Sequence, residues 1–319
     1  MQGAENTTLN IVDFENLPVL PYQKSCVTIG NFDGVHKGHQ FIIEEIVQKA
    51  FSMEMASIVV TFFPNPADFF GRVKEPFYLT TPEEKTALLK GLGVDEVITF
   101  RFDRDFASLS PEVFLRSLKD KLGLQVLMVG YDFALGKNRT GTIPVLKQIG
   151  ENMGFSVIAL NPVEFGGGEI SSTRIRQSLG EGNVRQAAEM LGRPYSVSGL
   201  VTHGSDRGSS IGLPTANIDH WSKKLLPAIG VYATRPILNG KTYQGITNIG
   251  LRPTFEQQEL PNIETHILDF DGNIYGEQLE LQFIEKIRDE QKFSGVETFL
   301  AQIERDKATA RRIFSHDQT

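Results

Sequence analysis

The sequence has one cysteine, one tryptophan, no surplus of positive charge and no long apolar run. Each scarcity excludes something. A lone Cys26 cannot form an intramolecular disulfide, so a stapled secreted scaffold is ruled out, and on an apolar stretch Cys26 reads as a small core residue. An apolar run such as residues 58–63, interrupted by Thr61, falls far short of the ~18 to 20 residues a membrane helix needs, so no membrane partner is expected. Lys and Arg total 32 against 39 Asp and Glu, and the resulting −7 has the wrong sign for a general grip on phosphate backbones. Nucleic acid is therefore not expected as a partner. The opening residues carry no basic region ahead of an apolar stretch, which points to a cytoplasmic chain without a signal peptide.

What remains is globular. The 319 residues are 40% hydrophobic and 22% charged, enough for about two domains with a core in each. From residue 25 to about 176, short apolar runs alternate with segments of helical period, an α/β pattern implying a parallel sheet with crossover helices. Strands are expected at 26–30, 57–62, 94–100, 125–130 and 155–160. Thr81, Pro82 and Glu84 form a helix-start signature, and Ser110 with Pro111 repeats its first two parts. After residue 191 the pattern becomes β-rich, with strands expected at 197–203, 230–238, 241–249, 263–270 and 278–284, a small barrel or sandwich. An amphipathic helix over 296–314 follows. The expected domains are 1–190 and 191–319.

In the first half, an apolar strand runs into GNFDGVHKGH and then directly into a helical pattern. That places His36 and His39 at a strand-to-helix turn, where free N–H groups and the helix dipole favour an anion. Gly30, Phe32, His36, Gly38 and His39 are the candidate residues for a nucleotide triphosphate. Further on, Ser171, Ser172 and Thr173 follow a glycine run and read both as helix caps and as a second anion cradle. Arg176 beside them is suited to charge developing on a leaving pyrophosphate. Two loops end other strands, TFFPNP with Pro64 and Pro66, and VGYDFALGKNRTG with Asp132 and Arg139. Ligands of open α/β sheets bind beyond the carboxyl ends of the strands, so both loops are expected to face a flat aromatic ligand opposite the nucleotide.

In the second half, Gly204, Arg207, Gly208 and Gly212 belong to a Gly/Ser loop of the kind that wraps phosphates, followed by PTAN at residues 214–217. Pro214, Thr215 and Asn217 join that candidate ATP site, and the neutral oxygens of Thr215 and Asn217 suit Mg²⁺ already held by ATP. Glu264 opens an otherwise apolar alternating strand, either exposed at its end or retained for chemistry.

These motifs, in this order, resemble prokaryotic bifunctional riboflavin kinase/FAD synthetases over about residues 20 to 310. The resemblance implies a Rossmann-like nucleotidyltransferase domain and a riboflavin kinase-like antiparallel β-barrel with a C-terminal helix. It implies riboflavin phosphorylation to FMN, then AMP transfer from ATP to FMN, with Mg²⁺. His36, His39, Ser171, Ser172, Thr173 and Arg176 match the family's nucleotide motifs, Pro64, Pro66 and Asp132 its flavin side, and Glu264 its catalytic base. Leu213 departs from the aromatic residue that often precedes PTAN, and Ser209 and Ser210 from a more basic loop. Implied partners are the small molecules riboflavin, FMN and ATP, and a homo-oligomer is compatible with the pattern. The rival readings are an enzyme with one decayed module, or a flavin-binding regulator without turnover; the key polar residues of both modules are present, which argues against decay.

Overall fold

The computed structural model describes residues 10–203, 213–253 and 259–316. The chain divides into two compact units, Met1–Ser172 and Thr173–Thr319.

The first unit is a parallel sheet. Its strands are β1 (Ile11–Val12), β2 (Ser25–Ile29), β3 (Ala56–Phe63), β4 (Glu96–Arg101), β5 (Leu124–Gly130) and β6 (Ser156–Leu160), in spatial order β1-β4-β3-β2-β5-β6. The neighbouring pairs all run parallel. β2 is buried at every position, as expected of a strand covered on both faces, and Cys26 is part of that core. The short edge strand β1 has no counterpart in the sequence pattern, because two residues carry no periodicity. The helices that matter for the site are α1 (Lys37–Ser52), α2 (Pro66–Phe69) and α3 (Pro82–Gly91), followed by α4 (Pro111–Leu122) and α5 (Ile143–Met153). The start of α3 has the full capping box: the Thr81 hydroxyl accepts from Glu84 N at 3.2 Å and the Glu84 carboxylate accepts from Thr81 N at 2.9 Å. Ser110 caps α4 through Val113 N at 3.3 Å. Strand order reverses between β2 and β5, so the carboxyl ends of β2, β3 and β5 border the topological switch point, where open sheets bind ligands.

The second unit begins with two helices, α6 (Ser172–Gly180) and α7 (Val184–Leu191). The β-rich pattern starts after residue 191, but the compact division falls earlier, at Ser172. The reason is packing: Ala228 N donates to Leu179 O at 2.8 Å, and Arg185 pairs with Glu285 at 2.9 Å, so both helices group with the strands that follow them. Those strands are β7 (Tyr195–Thr202), β8 (Ala216–His220), β9 (Gly230–Leu238), β10 (Lys241–Thr242), β11 (Gly245–Pro253), β12 (Glu259–Ile267) and β13 (Gln278–Arg288). They run antiparallel in the order β10-β9-β11-β12-β8-β7-β13, and β13 pairs back onto β9. This closure makes a barrel of what the pattern left as barrel or sandwich, and it removes the strand edges. The segment expected as one strand over 241–249 is two, β10 and the longer β11.

A final helix, α8 (Val296–His316), packs Ala310, Ile313 and Phe314 against the barrel core that includes Val231, Ala233, Ile246 and Ile284. It is anchored by an ion pair at its middle. Asp306, 1% exposed, accepts from Arg288 Nε at 3.0 Å and Nη2 at 2.8 Å, and also from Gln302. Removing one partner of a buried pair leaves an uncompensated charge, so Asp306→Ala should lower the unfolding free energy by about 3 to 5 kcal/mol in urea titration. The exposed Arg311–Asp269 pair at 2.9 Å serves as the contrast: Asp269→Asn should cost less than about 1 kcal/mol.

Candidate functional site

β2 ends at Ile29 and α1 begins at Lys37, with the turn 30–36 between them. Three positions of positive φ shape it: Phe32 (φ 48°), Gly34 (φ 84°) and Val35 (φ 39°). A β-branched residue at positive φ costs of order 1 to 3 kcal/mol and persists only where surroundings over-determine it. Asp33 does this. Its buried carboxylate accepts from Leu79 N at 3.0 Å, Thr80 N at 3.2 Å and the Thr80 hydroxyl at 3.3 Å, while Gly34 N donates to that hydroxyl at 3.2 Å. The turn is thus tied to the segment that leads into α3.

His36 is the N-cap of α1: its Nδ1 accepts from His39 N at 3.3 Å. That bond leaves the proton of a neutral imidazole on Nε2, where it can donate to a phosphate. The two histidine rings stack, with centroids 3.6 Å apart and planes within 18°, and the Phe32 ring meets His39 edge-on at 5.2 Å. Two glycines make room for these rings. A Cβ at Gly30 would stand 2.9 Å from the Phe32 ring, and one at Gly38 would press the His36 ring at 3.2 Å. The spacing of H-x-G-H therefore builds an aromatic pair directly over a helix N-terminus.

Of the second cradle, Ser172 meets the turn directly: its hydroxyl donates to Asp33 O at 2.9 Å, and Ile170 O lies 3.6 Å from a Cβ placed on Gly38. Ser171 is half-buried beside it in the chain. Thr173 and Arg176 fall on α6 in the second unit, so the sequence motif ISSTRIR straddles the division between units.

The two loops assigned to a flat ligand leave β3 and β5, the strands on either side of β2. In the first, Pro66 opens α2 and Asn65 caps it through Ala67 N at 2.9 Å, while Pro64 joins Phe63 through a cis peptide. Asn65 N in turn donates to the Tyr78 hydroxyl at 2.9 Å, which donates to Asp68 at 2.8 Å. Burial pushes the Tyr78 hydroxyl well above its ordinary pKa. In the second loop, Arg139 Nη2 donates to Asp132 O at 3.1 Å, and both residues are exposed.

In the barrel, register decides the neighbours of Glu264. It pairs with Asn217 of β8 on one side and Asn248 of β11 on the other, and Asn262 Nδ2 donates to its Oε1 at 2.8 Å. Strand alternation turns Glu264 away from the interior occupied by Ile263, Thr265 and Ile267, so the half-buried carboxylate shares its face with its register partners Asn217 and Asn248. Asn217 is buried and Thr215 half-buried in the same segment, and Pro214 O is bonded to His266 Nδ1 at 2.8 Å. Burial lowers the His266 pKa. Gly204, Arg207, Gly208 and Gly212 lie outside the described residues.

Sequence reasoning did not single out Asp33, Tyr78, Thr80, Asn248, Asn262 or His266. Asp33 lies inside the quoted turn motif and was legible there; Asn248 becomes a neighbour of Glu264 only through strand pairing. A cavity of about 530 Å³ opens between α4 and α5, and no candidate residue lines it. No helix among the described residues is long and apolar enough to cross a membrane.

Comparison with known proteins gives a consistent picture. A FAD synthetase family model matches residues 21–174 and a riboflavin kinase model residues 191–314. The bifunctional riboflavin kinase/FMN adenylyltransferase of Bacillus subtilis is 37% identical over 312 residues, covering 97% of this chain and 98% of the relative. The Escherichia coli K12 protein of the same name is 38% identical over 94% of this chain and 96% of its own. A crystal structure described as a macrolide-efflux protein from Streptococcus pneumoniae superposes with a TM-score of 0.86 at 32% identity, covering 94% of this chain and 97% of that one. With relatives this similar over nearly their whole length, the chain belongs to the bifunctional riboflavin kinase/FMN adenylyltransferase family.

Proposed function

We propose that the barrel unit phosphorylates riboflavin with ATP to give FMN, and that the turn 30–36 of the parallel-sheet unit serves adenylyl transfer from a second ATP to FMN, giving FAD and pyrophosphate. The observation that carries this reading is the pairing of two different polar arrangements in one chain. One is a histidine pair over a helix N-terminus at a sheet switch point, and the other is a lone carboxylate framed by amides on a barrel strand.

The chemistry of each step matches its arrangement. In adenylyl transfer a phosphate oxygen of FMN attacks the α-phosphorus of ATP and the bond to the β-phosphate oxygen breaks. The nucleophile is already an anion, so no base is needed, only orientation and charge stabilisation. His36, His39 and the N-terminal turn of α1 fit that task, with Ser171, Ser172, Thr173 and Arg176 as further phosphate partners. Pro64, Pro66, Asp132 and Arg139 are proposed on the flavin side. In the kinase step the riboflavin 5′-hydroxyl must lose a proton as it attacks the γ-phosphorus, and Glu264 is proposed to accept it. Among the described residues no cluster of three or more His, Cys, Asp or Glu side chains is arranged to hold a metal ion, and Thr215 and Asn217 offer only neutral oxygens. That donor set fits Mg²⁺ arriving on ATP, which neutralises charge on the transferring phosphates. The single, fully buried Cys26 and the use of ATP support a cytoplasmic setting.

Purified protein given riboflavin and Mg·ATP should yield FMN and then FAD by chromatography; return of riboflavin alone would identify a binder without turnover. His39 is the cleaner probe of the first site because His36 also caps α1. His39→Ala should slow FAD formation by about 10² to 10³, with FMN accumulating from riboflavin. Glu264→Gln keeps the shape and loses the base. It should slow riboflavin phosphorylation by about 10² to 10⁴ while FAD is still made normally from supplied FMN. Equal loss of both activities in either variant would point to misfolding instead.

A further inference from the structure

Lys85, on the first turns of α3, is buried at 7% exposure, and its ammonium has no part in the chemistry above. Its three N–H groups meet three acceptors: Asn31 O at 3.2 Å, the Thr61 hydroxyl at 2.9 Å and Phe62 O at 3.2 Å. Asn31 belongs to the turn that precedes His36, and Thr61 and Phe62 lie near the end of β3, three and two residues before Pro64. One side chain therefore joins the two loops proposed to hold ATP and flavin. The Thr61 hydroxyl adds a second link, donating to Asn31 O at 3.1 Å.

A structural role alone accounts poorly for a charge at this position. The β2–β3 ladder already joins the two strands up to Ile29 and Val60, and Gly30 N donates to Val60 O at 3.0 Å. Burying an ammonium is costly, and bridging two segments does not by itself require a charge. Asp33, the nearby carboxylate, has donors of its own in Leu79 and Thr80. The charge instead stands where the β2–β3 ladder has ended, beside the start of the nucleotide turn.

We propose that Lys85 is a positioning residue for adenylyl transfer, its ammonium holding the nucleotide turn and the flavin-side loop at one spacing through Asn31, Thr61 and Phe62. The inference rests on the adenylyl-transfer reading of this unit.

Its protonation matters because serving three acceptors takes three N–H groups. Burial lowers the Lys85 pKa from 10.5 to about 8, against the opposing pull of Asp33. The other titratable group lining the small cavity around it is Tyr78, hydrogen-bonded to Asp68; its hydroxyl is held above its ordinary value and stays protonated in this range. Activity that depends on the ammonium should fall as pH rises through about 8. Stability should move the other way: between about 8 and 10.5 the unfolded chain holds a proton on Lys85 that the folded chain has released, so this group makes folding more favourable as pH rises. A merely structural ammonium would not separate the two.

The test compares full-length wild type, Lys85→Met, Thr61→Val and His39→Ala, with FMN and Mg·ATP as substrates and riboflavin phosphorylation as the internal control. Lys85→Met should remain folded, phosphorylate riboflavin at the wild-type rate, and lose roughly 10- to 100-fold in kcat/KM for FAD formation, with KM raised for both ATP and FMN. The alkaline limb near pH 8 in wild-type FAD formation should be absent from the variant. A folded Lys85→Met with both KM values and the alkaline limb unchanged overturns the proposal. Should Lys85→Met not fold, Thr61→Val and the wild-type profile decide: a rise in both KM values together with a wild-type limb near 8 supports it, and absence of either overturns it. FAD synthesis persisting in His39→Ala would overturn the reading of the site itself. Lys85→Met behaving as wild type beside an inactive His39→Ala overturns only the role of Lys85.

Discussion

A buried carboxylate holding a strained turn is the constraint on which the geometry of the first unit's candidate site depends. Phe32, Gly34 and Val35 all take left-handed backbone angles, which a free loop would relax. Asp33 prevents that by accepting from the Leu79–Thr80 segment, and through the capping box that follows, α3 becomes the mount for the turn. The strain has a geometric consequence. It lets the chain leave β2 and enter α1 with His36 as N-cap, so that the two imidazoles stack across the helix start instead of pointing along it. Local backbone cost, tertiary anchoring and ligand geometry are one arrangement here.

The barrel solves a different problem by register. A carboxylate on an alternating strand faces the core or the outside according to a single-residue shift, and Glu264 faces outward while Ile263 and Thr265 line the interior. Antiparallel pairing then brings Asn217 and Asn248 beside it from separate strands. Barrel closure through β9 and β13 leaves the main strands paired on both sides, which holds that register. α8 adds the Asp306–Arg288 pair, which ties β13 to the helix covering the barrel.

The two sites differ as their reactions differ. Adenylyl transfer begins from an anion and asks only for donors and fixed spacing, which suits a turn rich in N–H groups and rings. Phosphorylation begins from a neutral hydroxyl and asks for a proton acceptor, which suits a half-buried carboxylate with amide neighbours. Under the proposed assignment, each demand falls to a local device on its own scaffold.

Local signals in the sequence were sufficient for the alternation of strands and helices, the capping box at Thr81, the H-x-G-H turn, the antiparallel half and the terminal helix. These depend on neighbours within a few residues, and so periodicity and spacing reveal them. The order β4-β3-β2-β5, barrel closure and the grouping of α6 and α7 with the second unit depend on contacts between distant segments. The same holds for individual residues. The place of His36 at a helix start was legible from the motif and Glu264 stood out on its strand with its role open, whereas Lys85 in PEEK reads as an ordinary helix-surface lysine, and Asn248 as an ordinary strand residue. Only the folded chain brings the Lys85 ammonium to Asn31, Thr61 and Phe62, and Asn248 to Glu264, because those approaches are set by packing of a helix on a sheet and by strand register, neither of which leaves a mark within a short stretch of sequence.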